Sequence, residues 1–340
     1  MGDGAEAAAR LVGSTFAGRY RVVQLLRSGG TSDVYLAEQM TLRPGPLTFR
    51  GADEMHEEVT GEGRGSNPDV GRGSSPDLPR ARESEPPRVP RAGGSEPPRA
   101  GRAARLAIKV LRERFRGDRA VARRFERGVV AASQVVHPNV VRTGPIERLP
   151  DGLPFCTMEL LIGLDLADML AYGRKLDPAR ALRLAEGAAA GLSAAHAAGV
   201  LHLDVKPENV FVVHRPDGGE LVKILDFGLA SIPGDPAAPR VEAACGTPEY
   251  MAPEQKRGVP AAPTMDVYAL GVVLFEMLTG LSPAGPRASS VDLPPPLARV
   301  VMRALAADPA DRHPTMEAFH AALAAAAEEG LPARPASEGR

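Results

Sequence analysis

The sequence has no tryptophan, and aromatic residues make up only 4% of its 340 positions. So sparse a set excludes the stacked aromatic platforms on which proteins hold single-stranded nucleic acid. Cysteine is almost absent: Cys156 and Cys245 are the two in the chain. With no CxxC or HExxH spacing they make neither a zinc site nor a disulfide framework, and they fit a reducing, cytoplasmic setting. Charge of one sign is also lacking. The 41 Lys and Arg stand against 42 Asp and Glu, for a net charge of -1. That balance leaves no electrostatic footprint for nucleic acid or for an acidic membrane surface. No run of about 18 strongly apolar residues is present, so no membrane span is expected. The first residues lack the apolar stretch of a signal peptide. These absences lead to the expectation of a soluble cytoplasmic protein with no nucleic-acid and no membrane partner.

Glycine (36) and proline (33), by contrast, are plentiful, together about a fifth of the chain. Much of the excess falls in one block. Residues 41 to 105 hold ten Pro and ten Gly, with Phe49 as the sole aromatic. That composition reads as a solvated, disordered spacer. The block contains near-repeats, GRGSNPD at 63–69 against GRGSSPD at 71–77, that are too short for solenoid units. A docking tether is the other reading of this block.

Ordered texture lies on either side. Gly18 to Leu36 reads as two strands joined by a glycine-containing turn. A short apolar strand follows at Leu106–Leu111, then a charged helix at about 118–134 and a strand-rich stretch from Val140 to Leu161. Helical patterns cover 165–172 and 178–198, the second opened by Asp177 and Pro178 as cap and first turn. Strands at 208–213 and 221–225 flank a turn, and helices resume at 264–279 and over most of 296–326. A strand-rich first part and a helix-rich second part argue for an α+β chain of two lobes.

Three motifs carry chemistry. In His202-Leu203-Asp204-Val205-Lys206-Pro207-Glu208-Asn209, an Asp, a Lys two residues on and an Asn five residues on share one tight loop. That set supplies a base, a cation and a metal ligand, which phosphoryl transfer requires. Asp226-Phe227-Gly228 places a carboxylate at a strand end before a flexible glycine, suited to a second metal ligand. Gly246-Thr247-Pro248-Glu249-Tyr250-Met251-Ala252-Pro253-Glu254 follows. Alone, Lys109 would read as an edge charge and Asp226 as a turn residue. In this order, with Lys109 upstream on a strand, they make a pattern.

On these residues the chain resembles the protein kinase family, in particular the eukaryotic-like Ser/Thr kinases of bacteria. The resemblance covers about 16–38 and 104–326 and implies a bilobal protein-kinase-like fold. The small β-rich lobe would span 16–160, with the insertion 41–103 between its second and third strands, and the larger helical lobe 161–326. Residues 1–15 and 327–340 would be disordered ends. ATP and Mg²⁺ are the implied cofactors, with a protein substrate and room for a regulatory protein partner. By resemblance, Asp204 is the catalytic base and Lys206 contacts the γ-phosphate. Asn209 and Asp226 bind Mg²⁺, and Lys109 holds the α- and β-phosphates. Met158 is the gatekeeper, the backbone of Glu159 and Leu161 reads adenine, and Val34, Ala107 and Phe211 sandwich the ring. Gly29 belongs to the phosphate-covering loop. Glu254 and Arg312 form a structural clamp, Asp266 anchors the catalytic loop, and His202 packs below Phe227.

Four departures qualify the resemblance. The glycine-rich loop reads Arg27-Ser28-Gly29-Gly30-Thr31-Ser32, in which only Gly29 matches, so a stiffer lid and weaker nucleotide grip are expected. The helix glutamate that pairs with the strand lysine in the family is replaced by Gly128, and Glu126 points elsewhere on the helix. The arginine before the base is Leu203, and Ser231 is the one hydroxyl between 229 and 244. The segment from Gly280 to Leu297 is short. The expected protein is thus a slow Ser/Thr kinase not switched by activation-segment phosphorylation. Two alternatives stay open: a pseudokinase acting as a binding or scaffolding module, and a small-molecule phosphotransferase.

Overall fold

The computed structural model describes residues 11–40, 103–230, 247–283 and 293–329. Apart from Ala103, the insertion expected at 41–103 lies outside the described residues, as do Ser231, Cys245 and most of both expected tails. Six strands form the first sheet: β1 (Thr15–Phe16), β2 (Tyr20–Ser28), β3 (Ser32–Gln39), β4 (Arg105–Leu111), β5 (Thr143–Arg148) and β6 (Pro154–Met158). Their order is β1-β2-β3-β4-β6-β5, with every neighbouring pair antiparallel. Helix α1 (Arg119–Gln134) crosses between β4 and β5. Asp118 starts it by accepting from Ala120 N–H at 3.0 Å and Val121 N–H at 3.1 Å, two of the donors a helix start leaves unpaired. Phe125 and Val129 on its inner face join Ile108, Val110 and Phe155 in the small-lobe core.

The second lobe is built on helices. A short sheet, β7 (Gly163–Asp165), β8 (Val210–His214) and β9 (Glu220–Ile224), roofs α2 (Leu166–Leu170) and α3 (Pro178–Ala197). Then come α4 (Pro253–Lys256), α5 (Pro263–Thr279), α6 (Pro295–Ala304) and α7 (Met316–Glu328). Alanines 181, 185, 188, 189 and 195 of α3 are buried, which lets neighbouring helices approach closely. Helix α5 is apolar nearly all round and runs through the core, ending at Gly280, whose φ of 70° closes the helix in the left-handed region. There are two hydrophobic clusters, and α1 contributes to both: Phe125 and Val129 to the small-lobe one, Ala131 and Ala132 to the large-lobe one.

The α+β bilobal fold is therefore present. The start of the folded unit needs one correction. Leu11, expected in a disordered end before residue 16, packs on the small-lobe core, and Gly13 N–H donates to Val22 O at 2.9 Å. The apolar side chain and this edge hydrogen bond tie the segment to the sheet. At the other end α7 runs to Glu328, two residues past the expected boundary.

Candidate active site

Strand register decides which side chains face the cleft. Residues directly opposite on neighbouring antiparallel strands share a face, and so do residues two apart on one strand. Val34 lies opposite Lys109, Lys109 opposite Cys156, and Ala107 opposite Met158. These five side chains thus line one face of the sheet. A cavity of about 220 Å³ opens beneath it, lined by Lys109, Met158, Asp204, Lys206 and Asp226 among others. Gly30 and Thr31 line it from the β2–β3 turn, whereas the expected Gly29 does not. Glu159, Leu161 and Phe211 lie outside it, as do Val34, Ala107 and Asn209.

The loop that carries Asp204 is held by a carboxylate from helix α5. Asp266 on α5 is fully buried. It accepts from His202 N–H at 2.8 Å, Leu203 N–H at 2.7 Å and His196 Nε2 at 2.8 Å. Burial alone would raise its carboxyl. The His196 hydrogen bond and the other donors outweigh that and hold it below the usual carboxylate range. These bonds fix Leu203 at a φ of 61°, a left-handed conformation costly for a side chain of this kind. The expected anchor role of Asp266 is thus visible. The His202 ring lies 4.7 Å from that of Phe227, and its Nε2 donates to Leu225 O at 2.8 Å.

From this loop Asp204 and Lys206 meet in the cavity. Lys206 Nζ donates to Asp204 Oδ2 at 2.8 Å and to Thr247 Oγ1 at 2.9 Å. Asn209 gives its Nδ2 to Asp204 O at 2.8 Å, which commits the amide nitrogen and leaves Oδ1 as the oxygen for a cation. Opposite, Lys109 Nζ lies 2.7 Å from Asp226 Oδ1, an oxygen that also accepts from Gly228 N–H at 3.1 Å. Desolvation would raise the Asp226 carboxyl, but the Lys109 charge and hydrogen bond overcome it and hold the carboxyl low. An ionised carboxylate and an amide oxygen are the hard donors Mg²⁺ takes beside substrate phosphates, so the residues present fit that ion. Among the described residues no group of three or more His, Cys, Asp or Glu side chains makes a metal site, so the cation would need phosphate oxygens to complete its shell.

One sequence expectation changes here. With Gly128 in place of the helix glutamate, Lys109 is expected to lack a partner. It pairs with Asp226 instead. Helix α1 also sits closer than a side chain allows: a Cβ on Gly128 would lie 2.8 Å from Gly228 Cα and 2.9 Å from Phe227 O. One turn earlier, Arg124 Nε donates to Gly228 O at 3.2 Å. The Glu159 side chain, for which the sequence carries no expectation, is committed to structure. It accepts from Arg142 N–H at 2.8 Å and from Lys223 Nζ at 2.6 Å, while its own N–H donates to Arg142 O at 3.0 Å. Thr247 belongs to the motif running from Gly246 to Glu254, and its contact with Lys206 is not foreseen from the sequence; the Gly-Thr-Pro triplet is the signal.

The clamp is complete. Arg312 gives Nη1 to Glu254 Oε1 at 2.6 Å and Nη2 to Oε2 at 2.8 Å. Its other N–H groups reach Ala306 O, Thr264 O and Ala307 O, so all five donors are used. Cys156 is buried, which pushes its thiol up to about 12 and makes it inert at neutral pH.

The Protein kinase domain family matches residues 99–315. The chain is 37% identical over 248 residues to Serine/threonine-protein kinase pkn3 of Myxococcus xanthus, covering 66% of this chain and 45% of that protein. To Serine/threonine-protein kinase PrkC of Bacillus subtilis it is 27% identical over 329 residues, covering 92% and 41%. The chain thus spans less than half the length of these curated relatives. Among solved structures, the PknI kinase domain of Mycobacterium tuberculosis, in a form carrying one cysteine-to-alanine substitution, superimposes with a TM-score of 0.59 at 25% identity, covering 93% of this chain and 98% of that one.

Proposed function

This chain belongs to the protein kinase family, among the eukaryotic-like Ser/Thr kinases of bacteria, and from that premise we propose that it transfers the γ-phosphate of ATP to protein hydroxyls. The observation that carries the reading is the contact of Asp204, Lys206 and Thr247 facing the Lys109–Asp226 pair across one cavity. Asp204 accepts the proton of the attacking hydroxyl. Lys206, tethered to both Asp204 and Thr247, holds a positive charge where the transferred phosphate gathers negative charge. Lys109 orients the remaining phosphates, and Asp226 and Asn209 hold Mg²⁺. When bound, the ion would neutralise phosphate charge. The hinge carbonyl of Glu159, with the Leu161 backbone, takes the adenine edge. Val34, Ala107 and Phe211 close on its faces.

Turnover is slow in this reading. Among the described residues, the carboxylate paired with Lys109 is also the one assigned to the metal, and the phosphate-covering loop lacks two of the family's three glycines. Activation-segment phosphorylation does not switch the enzyme, because Leu203 replaces the arginine that would read the phosphate. The full set of base, cation and metal ligands favours catalysis over a pure scaffold. The test is to incubate the full chain with γ-labelled ATP, Mg²⁺ and a basic substrate protein, beside Asp204→Ala. Label transferred by the wild type alone is expected. Equal label in both favours the scaffold reading.

A further inference from the structure

The residue at the first glycine position of the phosphate-covering loop is Arg27. Its place in the sheet gives it a task. Arg27 on β2 lies opposite Val34, which lies opposite Lys109, so the Arg27 side chain is on the same, cleft-facing side of the sheet. Along this row exposure falls from 44% for the Arg27 side chain to 15% for Lys109 and zero for Cys156. Arg27 is therefore the outermost member, at the mouth. Its guanidinium crosses to the other lobe and pairs with Asp165 Oδ2. Asp165 is buried at the end of β7 and caps α2 by accepting from Asp168 N–H at 2.9 Å through Oδ1. One carboxylate thus has one oxygen for its own helix and the other for a cation on the opposite lobe.

The tip of the same ribbon is fixed from behind. Arg112 donates to Gly29 O at 2.8 Å, Arg114 donates to Gly30 O, and Ser28 Oγ donates to Asp33 at 2.7 Å. A ribbon held at its tip moves as a body, so the bond at its outer end decides how the ribbon sits on the large lobe. A nucleotide reaching Lys109 passes beneath this ribbon.

We propose that Arg27 and Asp165 form an interlobe latch that positions the β2–β3 ribbon over bound nucleotide and sets how fast the nucleotide leaves. The proposal rests on the nucleotide-binding reading above. Asp165 is buried but its partner Arg27 is 44% exposed, so the bond is modest and is weakened by salt, and its loss speeds release about three-fold.

The test uses the full chain immobilised for surface plasmon resonance with MgADP, unlabelled so that nothing bulky enters the mouth, at about 50 and about 300 mM salt. The variants are Arg27→Gln, Arg27→Lys, Asp165→Asn and the Arg27→Gln/Asp165→Asn double; asparagine still caps a helix, so α2 is kept. Wild-type dissociation is expected to quicken at the higher salt. Arg27→Gln and Asp165→Asn should each release MgADP about three-fold faster at low salt and lose the salt response. The double variant should add nothing further, and Arg27→Lys should keep part of the salt response. MgADP binding with one off-rate in all proteins overturns the latch alone. No MgADP binding to the wild type overturns the nucleotide reading, and the latch with it.

Discussion

Gly128 of the first helix and Gly228, beside the Asp226 carboxylate, pack backbone to backbone: a Cβ on Gly128 would stand 2.8 Å from Gly228 Cα. The helix position that holds a glutamate in the resembled family is here a point of closest approach, and Arg124 secures it from the neighbouring turn. Close helix docking and the Lys109–Asp226 pair are two sides of one arrangement.

Restoring the family residue should therefore fail. Gly128→Glu supplies a carboxylate but drives the helix off the backbone of residues 227 and 228. Even Gly128→Ala overpacks the contact, at a cost of about 1–3 kcal/mol. Both variants should melt several degrees below wild type, and Gly128→Glu should lose about tenfold or more in turnover. A rise in kcat for Gly128→Glu would show that the missing glutamate itself limits the enzyme.

Thr247 is expected to act through Lys206. Its hydroxyl is the second acceptor that fixes the ammonium beside Asp204. Thr247→Ala removes a bond to a charged group, worth about 1.5–3 kcal/mol, so kcat should drop roughly tenfold to a hundredfold with little change in KM for ATP. Thr247→Ser should keep most of the activity. Steady-state kinetics on the three proteins reads this, and equal losses for Ala and Ser would contradict it.

The Glu254–Arg312 pair is buried on both sides. Arg312→Ala strands the Glu254 carboxylate and three backbone carbonyls, which costs about 3–5 kcal/mol. The expected result is a melting temperature lower by about 6 °C or more. A shift of under about 2 °C would show that the clamp is replaceable.

Stability should fall as pH drops below neutrality. His137 and His313 both titrate below the ordinary histidine range, chiefly because burial disfavours the charged ring. In the unfolded chain they take up protons near the usual value of about 6.5. Between that value and their lower folded values the unfolded state binds more protons, so stability rises with pH there. Their contribution is full above about pH 6.5 and is lost as pH falls through the folded values. Thermal melts from about pH 7.5 to about pH 5.5 should show this slope. The double variant His137→Asn, His313→Asn should flatten it; an unchanged slope assigns the effect elsewhere.

The architecture was largely legible in the sequence, because its signals are local. Asp118, Asp177 and Gly280 mark helix ends at their own positions, and the apolar run Leu106–Leu111 marks β4 as a buried strand. The catalytic loop was legible because Asp204, Lys206 and Asn209 lie within six residues. What escaped depends on distance across the fold. No sequence signal pairs Arg27 with Asp165, 138 positions away. The Gly128 substitution reads as a lost charge until Gly228 is seen lying against it. Likewise the substitute partner of Lys109 reads in the sequence as a metal ligand, and only the fold shows the carboxylate within 2.7 Å of the lysine.

In the proposed function the Lys109–Asp226 pair makes a working phosphoryl-transfer site without a helix carboxylate. Single-turnover transfer of γ-phosphate at saturating MgATP, wild type against Lys109→Met, tests it most directly. Wild-type transfer is expected to be about a hundredfold faster or more, as removal of a group that stabilises developing charge commonly costs. Equal rates in the two proteins would contradict it.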